Sequence, residues 1–119
     1  MDRFSVTLRV EEGSELSEML LSGELDFSQT SKVLDSAAAA LTNASMRRLV
    51  VDLTGVSFID SSGVGALINV YRMTRASGRT VTLRDPTDAT AAVLRITAVD
   101  RLFAESAQVT EPDGASTDL

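Results

Sequence analysis

Phe4, Val6, Leu8 and Val10 alternate with Ser5, Thr7 and Arg9, the two-residue period of a strand with one buried face. Glu11-Glu12-Gly13-Ser14 supplies turn residues, and Met19-Leu20-Leu21, closed by Gly23, reads as a second strand. The chain is therefore expected to open with an antiparallel hairpin. From Phe27 to Leu41 the apolar spacing changes to three and four, through Phe27, Thr30, Leu34, Ala37 and Leu41, which predicts a helix. Asp26 or Ser28 can accept a backbone N–H at its start and Asn43 can end it. Ala37 to Ala40 gives it high propensity and a slim face for packing on a sheet.

Leu49 to Leu53 is apolar at nearly every position, as expected of a central strand covered on both faces. A second helix is predicted from about Ser62 to Ala76, burying Val64, Leu67, Ile68, Tyr71 and the stem of Arg75, and ending at Ser77-Gly78. Thr80 to Leu83 reads as a fourth strand. Asp85-Pro86-Thr87-Asp88 opens a third helix that carries Ala92, Val93 and Ile96 and ends near Thr97. Asp100 to Phe103 is expected to be a short turn docking Leu102 and Phe103 on the core, and Glu105 to Thr110 a weak edge strand. Glu111 to Leu119 has no apolar period and is expected to be disordered. The order predicts an α/β fold: a mixed β-sheet of four to five strands with an N-terminal antiparallel hairpin, flanked by three or four helices and joined by right-handed crossovers. Residues 1–108 form one domain in this reading, and 109–119 a tail.

Composition narrows the function. A chain of 119 residues with 44% hydrophobic and 4% aromatic content supports one core built from Val, Leu, Ile and Ala. The net charge of −6, with neither a basic stripe nor an aromatic platform, argues against a direct nucleic-acid partner. No cysteine is present, which removes disulfides, thiolate metal sites and cysteine nucleophiles. The absence of histidine removes the commonest general base and metal ligand. No apolar run approaches the ~20 residues of a membrane span and the first residues lack a signal-peptide pattern, so a cytoplasmic protein without a membrane partner is expected.

The most informative stretch is Phe58-Ile59-Asp60-Ser61-Ser62-Gly63-Val64-Gly65, which sets two hydroxyls behind a carboxylate in a strand-to-helix connection. Connections of this kind are exposed, while the elements beneath hold them rigid. Three readings stand side by side. One serine is an N-cap, worth about 0.5–2 kcal/mol; or a serine is phosphorylated, the helix N-terminus tolerating the anion; or a serine is catalytic. The last lacks a histidine, and the sole lysine, Lys32, sits in the first helix with no motif linking it to Ser61. Gly63 and Gly65 are not followed by the Gly-Lys-Ser/Thr of a phosphate loop and are expected to allow close approach of helix to sheet. Asp52-Leu53-Thr54-Gly55 reads as a strand end and turn, and Asn43-Ala44-Ser45 is a sequon without meaning in a cytoplasmic protein. Glu24, Asp26, Asp52 and Asp60 could gather at one end of the sheet, where solvated turn and cap residues explain them better than a metal site, with Mg²⁺ held through water as the alternative; no metal or cofactor is expected.

Taken together, these residues resemble a bacterial anti-sigma factor antagonist of the STAS domain family, over roughly Phe4 to Phe103. The likeness rests on Gly23-Glu24-Leu25-Asp26, Val51-Asp52-Leu53, the Phe58 to Gly65 run and Arg101-Leu102-Phe103, in that order and spacing. The resemblance implies a mixed sheet flanked by helices and partner switching without catalysis. The unmodified protein would bind an anti-sigma factor that is also a serine kinase, freeing a sigma factor. Phosphorylation would end the binding and a serine phosphatase would restore it. The family's phosphoacceptor directly follows the motif's aspartate, which places it on Ser61, with Ser62 at the neighbouring hydroxyl position and available to secure the helix. The implied docking surface is Asp26, Asp60, Ser61, Ser62, Gly63 and Val64. The polar end after Phe103 departs from members that finish with a clear strand and helix. Two other readings remain at this level: a STAS-type scaffold or ligand-sensing module without a phosphorylation switch, and a small enzyme using Ser61 or the carboxylates.

Overall fold

The computed structural model describes residues 3–109. The alternating N-terminal segment forms β1, Ser5–Val10, which pairs antiparallel with β2, Leu16–Leu25, in a register that sets Val6 opposite Leu21 and Leu8 opposite Met19. Gly23 does not close β2 as its sequence context implies. It lies inside the strand at φ +101, where an added Cβ would stand 2.7 Å from the Arg3 carbonyl oxygen. The ladder to the next strand shifts register here, Gly23 facing Val56 and Glu24 facing Phe58, so the extra residue, Ser57, is a bulge of the partner strand, while the glycine itself is required by its positive φ and by the passing Arg3 backbone.

A 3-10 turn, Phe27–Gln29, leads into α1, Thr30–Leu41, which buries Val33, Ala37 and Ala40. Phe27 is off this stripe because the tighter turn precedes the helix. Strand β3 runs Arg48–Ile59, six residues beyond the predicted Leu53, and passes directly into α2, Ser61–Ala76. Strand β4 is Thr80–Arg84, and α3, Asp88–Ile96, and α4, Val99–Val109, follow. The sheet order is β1-β2-β3-β4, with β2, β3 and β4 parallel, so the mixed sheet has four strands and four helices accompany it. Both crossovers step in the same direction, which lays α1 and α2 on one face, and the two helices are in contact. Met19, Leu21, Leu25, Leu49, Val51, Leu53 and Val81 meet Val33, Ala37, Leu67 and Val70 there.

The helical stripe of α2 is rotated from the predicted one. Val64 and Leu67 are buried as expected, but Ala66, Val70 and Thr74 complete the face, while Ile68, Tyr71 and Arg75 are half-buried. Tyr71 meets the Phe103 ring edge-on at 5.4 Å. In α3 the buried residues are Thr90 and Leu94, and Ile96 is exposed. The Thr87 hydroxyl accepts from Thr90 N–H at 3.3 Å and donates to the Val56 carbonyl at 3.0 Å, which fastens α3 to β3 beyond the reach of β4.

Two predictions for the C-terminal part are corrected. Asp100 to Phe103 is the first part of α4, and the chain from Glu105 to Val109 continues it as helix instead of forming an edge strand. Ala98, at φ +64, ends α3 and redirects the chain. Val99 and Phe103, four apart, then bury one face of α4. Thr110 and the expected tail from Glu111 lie outside the described residues.

The expectation that Leu49 to Leu53 is covered by elements on both faces also changes. Alternation turns Leu49, Val51 and Leu53 toward the helices, and Val50 and Asp52 the other way. On that opposite face Arg84 of β4 reaches over β3 to Glu18 of β2 at 2.8 Å and also binds Asp52 at 2.8 Å, while Arg9 of β1 stands 3.9 Å from Glu18. Val50, in the same rows, is only 6% exposed. Charged side chains and their stems screen this apolar position where no helix does.

Hydrogen bonding from Thr54, followed by the pairing with Arg84, holds the Asp52 carboxyl below the usual carboxylate range against the opposing effect of burial. A depressed folded pKa adds stability that is complete above the unfolded pKa and is lost as pH falls through the folded one. Asp52→Asn is therefore expected to be less stable than the parent at about pH 7, with the gap closing below about pH 4. Urea unfolding across that range measures it, and a gap independent of pH would contradict the assignment.

Candidate functional site

The site is built where β2 and β3 end side by side. Leu25 pairs with Ile59, and each strand then passes through an extended aspartate into a helical turn. Asp26 has φ −118 and ψ −172 and caps the 3-10 turn; Asp60 has φ −108 and ψ −173 and caps α2. The Asp60 carboxylate accepts from Gly63 N–H at 2.9 Å, and its own N–H donates to the Leu25 carbonyl at 3.3 Å. The cap is therefore the carboxylate, and neither serine takes the role that capping statistics suggest for it. Asp competes on equal terms with Ser for this position, and its charge also suits the positive end of the helix dipole.

Ser61 and Ser62 consequently occupy the first two helical positions. Ser61 is exposed and Ser62 half-buried, and among the described residues neither hydroxyl is engaged in a hydrogen bond. Gly63 and Val64, placed on the docking surface by the sequence, are buried. Their contribution is to seat the helix. A Cβ on Gly63 would run into the Leu25 carbonyl oxygen and stand 2.7 Å from Ile59 Cγ1. Gly65 has nothing within 4 Å of such a Cβ, so the close approach expected of both glycines belongs to Gly63 alone.

Asp26 lies beside this start on the neighbouring strand end. Its Oδ1 accepts from Ser28 N–H at 3.1 Å and from the Ser28 hydroxyl at 2.7 Å. Of the four carboxylates expected to gather, Asp26 and Asp60 follow paired residues and Glu24 is exposed next to them. Asp52 does not join them, being held by Arg84 on the open sheet face. Among the described residues no group of three or more acidic side chains is arranged to hold a metal ion, and no helix is long and apolar enough to cross a membrane.

Two residues at this end were not singled out by sequence. Phe27 is 77% exposed and Phe58 is 48% exposed. For Phe58 a signal existed: Ile59 must face the core to close the strand, so its predecessor faces outward. For Phe27 the helical spacing pointed the wrong way.

Chemically, the arrangement presents a free serine hydroxyl with no base beside it. Asp60 is committed to its backbone donor, and the chain has no imidazole. The N–H groups of Ser61 and Ser62 and the helix dipole favour an added anion. The hydroxyl is thus exposed and unengaged at a helix start that favours an added anion.

Residues 8–105 match the family described as Mlab, STAS domain. The chain is 36% identical over 64 residues to an anti-sigma F factor antagonist of Lysinibacillus sphaericus, a stretch covering 53% of this chain and 55% of that protein. The match thus spans about half the length of this curated relative. An anti-sigma factor antagonist from Mycobacterium paratuberculosis has the same fold with a TM-score of 0.67, at 23% identity over 90% of this chain and 93% of that one. The Bacillus cell fate determinant SpoIIAA, in its phosphorylated form, gives a TM-score of 0.60 at 22% identity, covering 84% and 99%.

The two glycines of α2 lead to opposite expectations. Gly63→Ala should destabilise the fold by about 1–3 kcal/mol, because backbone cannot yield as a flexible side chain can. Gly65→Ala should stabilise it by up to ~1 kcal/mol through helix propensity. Chemical denaturation of both variants reads the two signs, and a neutral Gly63→Ala would contradict the described contact.

Proposed function

The chain belongs to the STAS domain family, and from this premise we propose that it is an anti-sigma factor antagonist whose binding is switched by phosphorylation of Ser61. Unphosphorylated, it binds an anti-sigma factor with serine kinase activity and so releases a sigma factor to direct transcription. That kinase then modifies Ser61 and ends the complex, and a serine phosphatase resets it. The protein works in the cytoplasm as a binding partner and carries out no catalysis of its own.

The observation that carries this reading is the free, exposed Ser61 hydroxyl on a helix start secured entirely by other groups, Asp60 and Gly63. Because Ser61 does not cap the helix, modifying it removes no interaction on which the fold depends. A phosphate brings about −1.5 to −2 charge and three acceptor oxygens. The dipole and free N–H groups at the start of α2 oppose any unfolding effect, while Asp60 and Asp26 make the surface more negative. The change is then felt where a partner must cover the site. The likeness to relatives described as anti-sigma factor antagonists, and to SpoIIAA in a phosphorylated form, supports the same assignment.

Incubation with ATP and the cognate anti-sigma kinase, followed by mass mapping, should find phosphate on Ser61 and none on Ser61→Ala. Phosphate elsewhere, or undiminished labelling of that variant, would overturn the assignment. Ser61→Asp should keep the parent's unfolding midpoint and bind the anti-sigma factor at least about tenfold more weakly, a change of roughly 1.4 kcal/mol. Unchanged affinity in calorimetry would count against an electrostatic switch.

A further inference from the structure

Among the described residues, large apolar side chains are exposed at only four positions: Val10, Phe27, Phe58 and Ile96. Both aromatic members of this set stand at the same end of the sheet. Phe58 pairs with Glu24 in the β2–β3 ladder, one step before the Leu25–Ile59 pair. Phe27 directly follows Asp26 in the turn that contacts α2. Each phenylalanine thus lies within two residues of a capping aspartate. Neither contributes to the core, since the inward positions here are taken by Leu25 and Ile59.

We propose that Phe27 and Phe58 are the apolar anchors of the Ser61 docking surface, and that their occupant is an anti-sigma factor face with an apolar pocket for Phe27 and a basic flank opposite Glu24 and Asp26. The proposal rests on the reading of Ser61 as the switch. Aromatic side chains supply large contact area at low entropic cost and dominate binding where surrounding contacts exclude water. The acidic groups beside them are Glu24, Asp26 and Asp60, against Arg3 and Lys32 on the adjoining segments, so the flank facing Glu24 and Asp26 on the partner carries positive charge.

The anchors also account for the strength of the switch. A charge in water is screened, and one added phosphate on an open surface would change little. With the two rings helping to exclude water from the contact, the Ser61 hydroxyl can be covered, whereas a dianion there must lose its water while the partner's cations are already matched to Glu24 and Asp26. Removing a ring would then both weaken binding and blunt the effect of the Ser61 charge.

The test measures binding to the purified cognate anti-sigma kinase by calorimetry, for the parent, Phe27→Ala, Phe58→Thr, Ile96→Ala and Ser61→Asp. Phe58→Thr replaces the ring by a β-branched residue that also favours a strand. Unfolding midpoints should match the parent, because neither ring is buried. Phe27→Ala is expected to bind at least tenfold more weakly, Phe58→Thr severalfold more weakly, and Ile96→Ala like the parent. If Ser61→Asp weakens binding while both phenylalanine variants bind normally, the anchors are wrong and the switch stands. If the phenylalanine variants weaken binding and Ser61→Asp does not, the surface stands and the switch fails. A parent that does not bind overturns both. A parent that self-associates in sedimentation, and becomes monomeric on Phe27→Ala, would assign the patch to a second copy and overturn the stated occupant.

Discussion

The first turn of α2 rests on the Leu25 carbonyl so closely that a side chain at position 63 has no space. Much of the site depends on that contact. The Leu25 carbonyl also accepts from Asp60 N–H, so one backbone oxygen at the end of β2 fixes both where β3 stops and how near the helix lies. Given those two constraints, Asp60 must sit at the cap and Ser61 must follow it outward. A serine placed by side-chain packing alone could relax when modified. One placed by backbone against backbone stays where it is.

The two faces of the sheet are stabilised by different means. Toward α1 and α2 it is apolar and dry, and Met19, Leu49, Val51, Leu53 and Leu67 carry the burial, each full burial contributing about 1.5–3 kcal/mol. On the opposite face the Arg84 side chain links β4 to β3 and β2, and Arg9 approaches from β1. Exposed ion pairs add little individually, but this arrangement touches all four strands and shields Val50. The capped helix start thus projects from a sheet with side-chain ties across its full width.

Periodicity made much of this legible. The hairpin, the helix from the Phe27 turn to Leu41, the central strand and the start of α2 followed from spacings of two and of three to four. What was misread depended on partners far away in sequence. Gly23 looks like a strand stop until Arg3 crosses it; Phe27 fits a helical stripe until the chain enters through a 3-10 turn. Ser61 and Ser62 look like caps while Asp60 is counted only as their neighbour. The segment from Val99 to Phe103 carried a helical spacing of its own, at Val99, Leu102 and Phe103, which the acidic and polar residues after it obscured. For the candidate site, the motif located the strand-to-helix junction that the structure has at Asp60 and Ser61, but which residues face solvent was decided by the Gly63 contact and the rotation of α2.

The aspartate-then-turn device occurs twice, one strand apart, with nearly equal backbone angles at Asp26 and Asp60. For a partner that reads this edge as proposed, a near-copy so close creates a problem of discrimination: displaced sideways by one strand, it would meet Asp26-Phe27-Ser28 in place of Asp60-Ser61-Ser62. The two differ first in the residue after the aspartate, Phe27 against Ser61, and then in what the nearby hydroxyls are already doing. The Ser28 hydroxyl is exposed but tethered to Asp26 at 2.7 Å, whereas that of Ser61 is unclaimed. On the proposed reading of Ser61, the first aspartate makes its own serine a poor decoy, and fidelity at this edge would come from an occupied hydroxyl as much as from an available one.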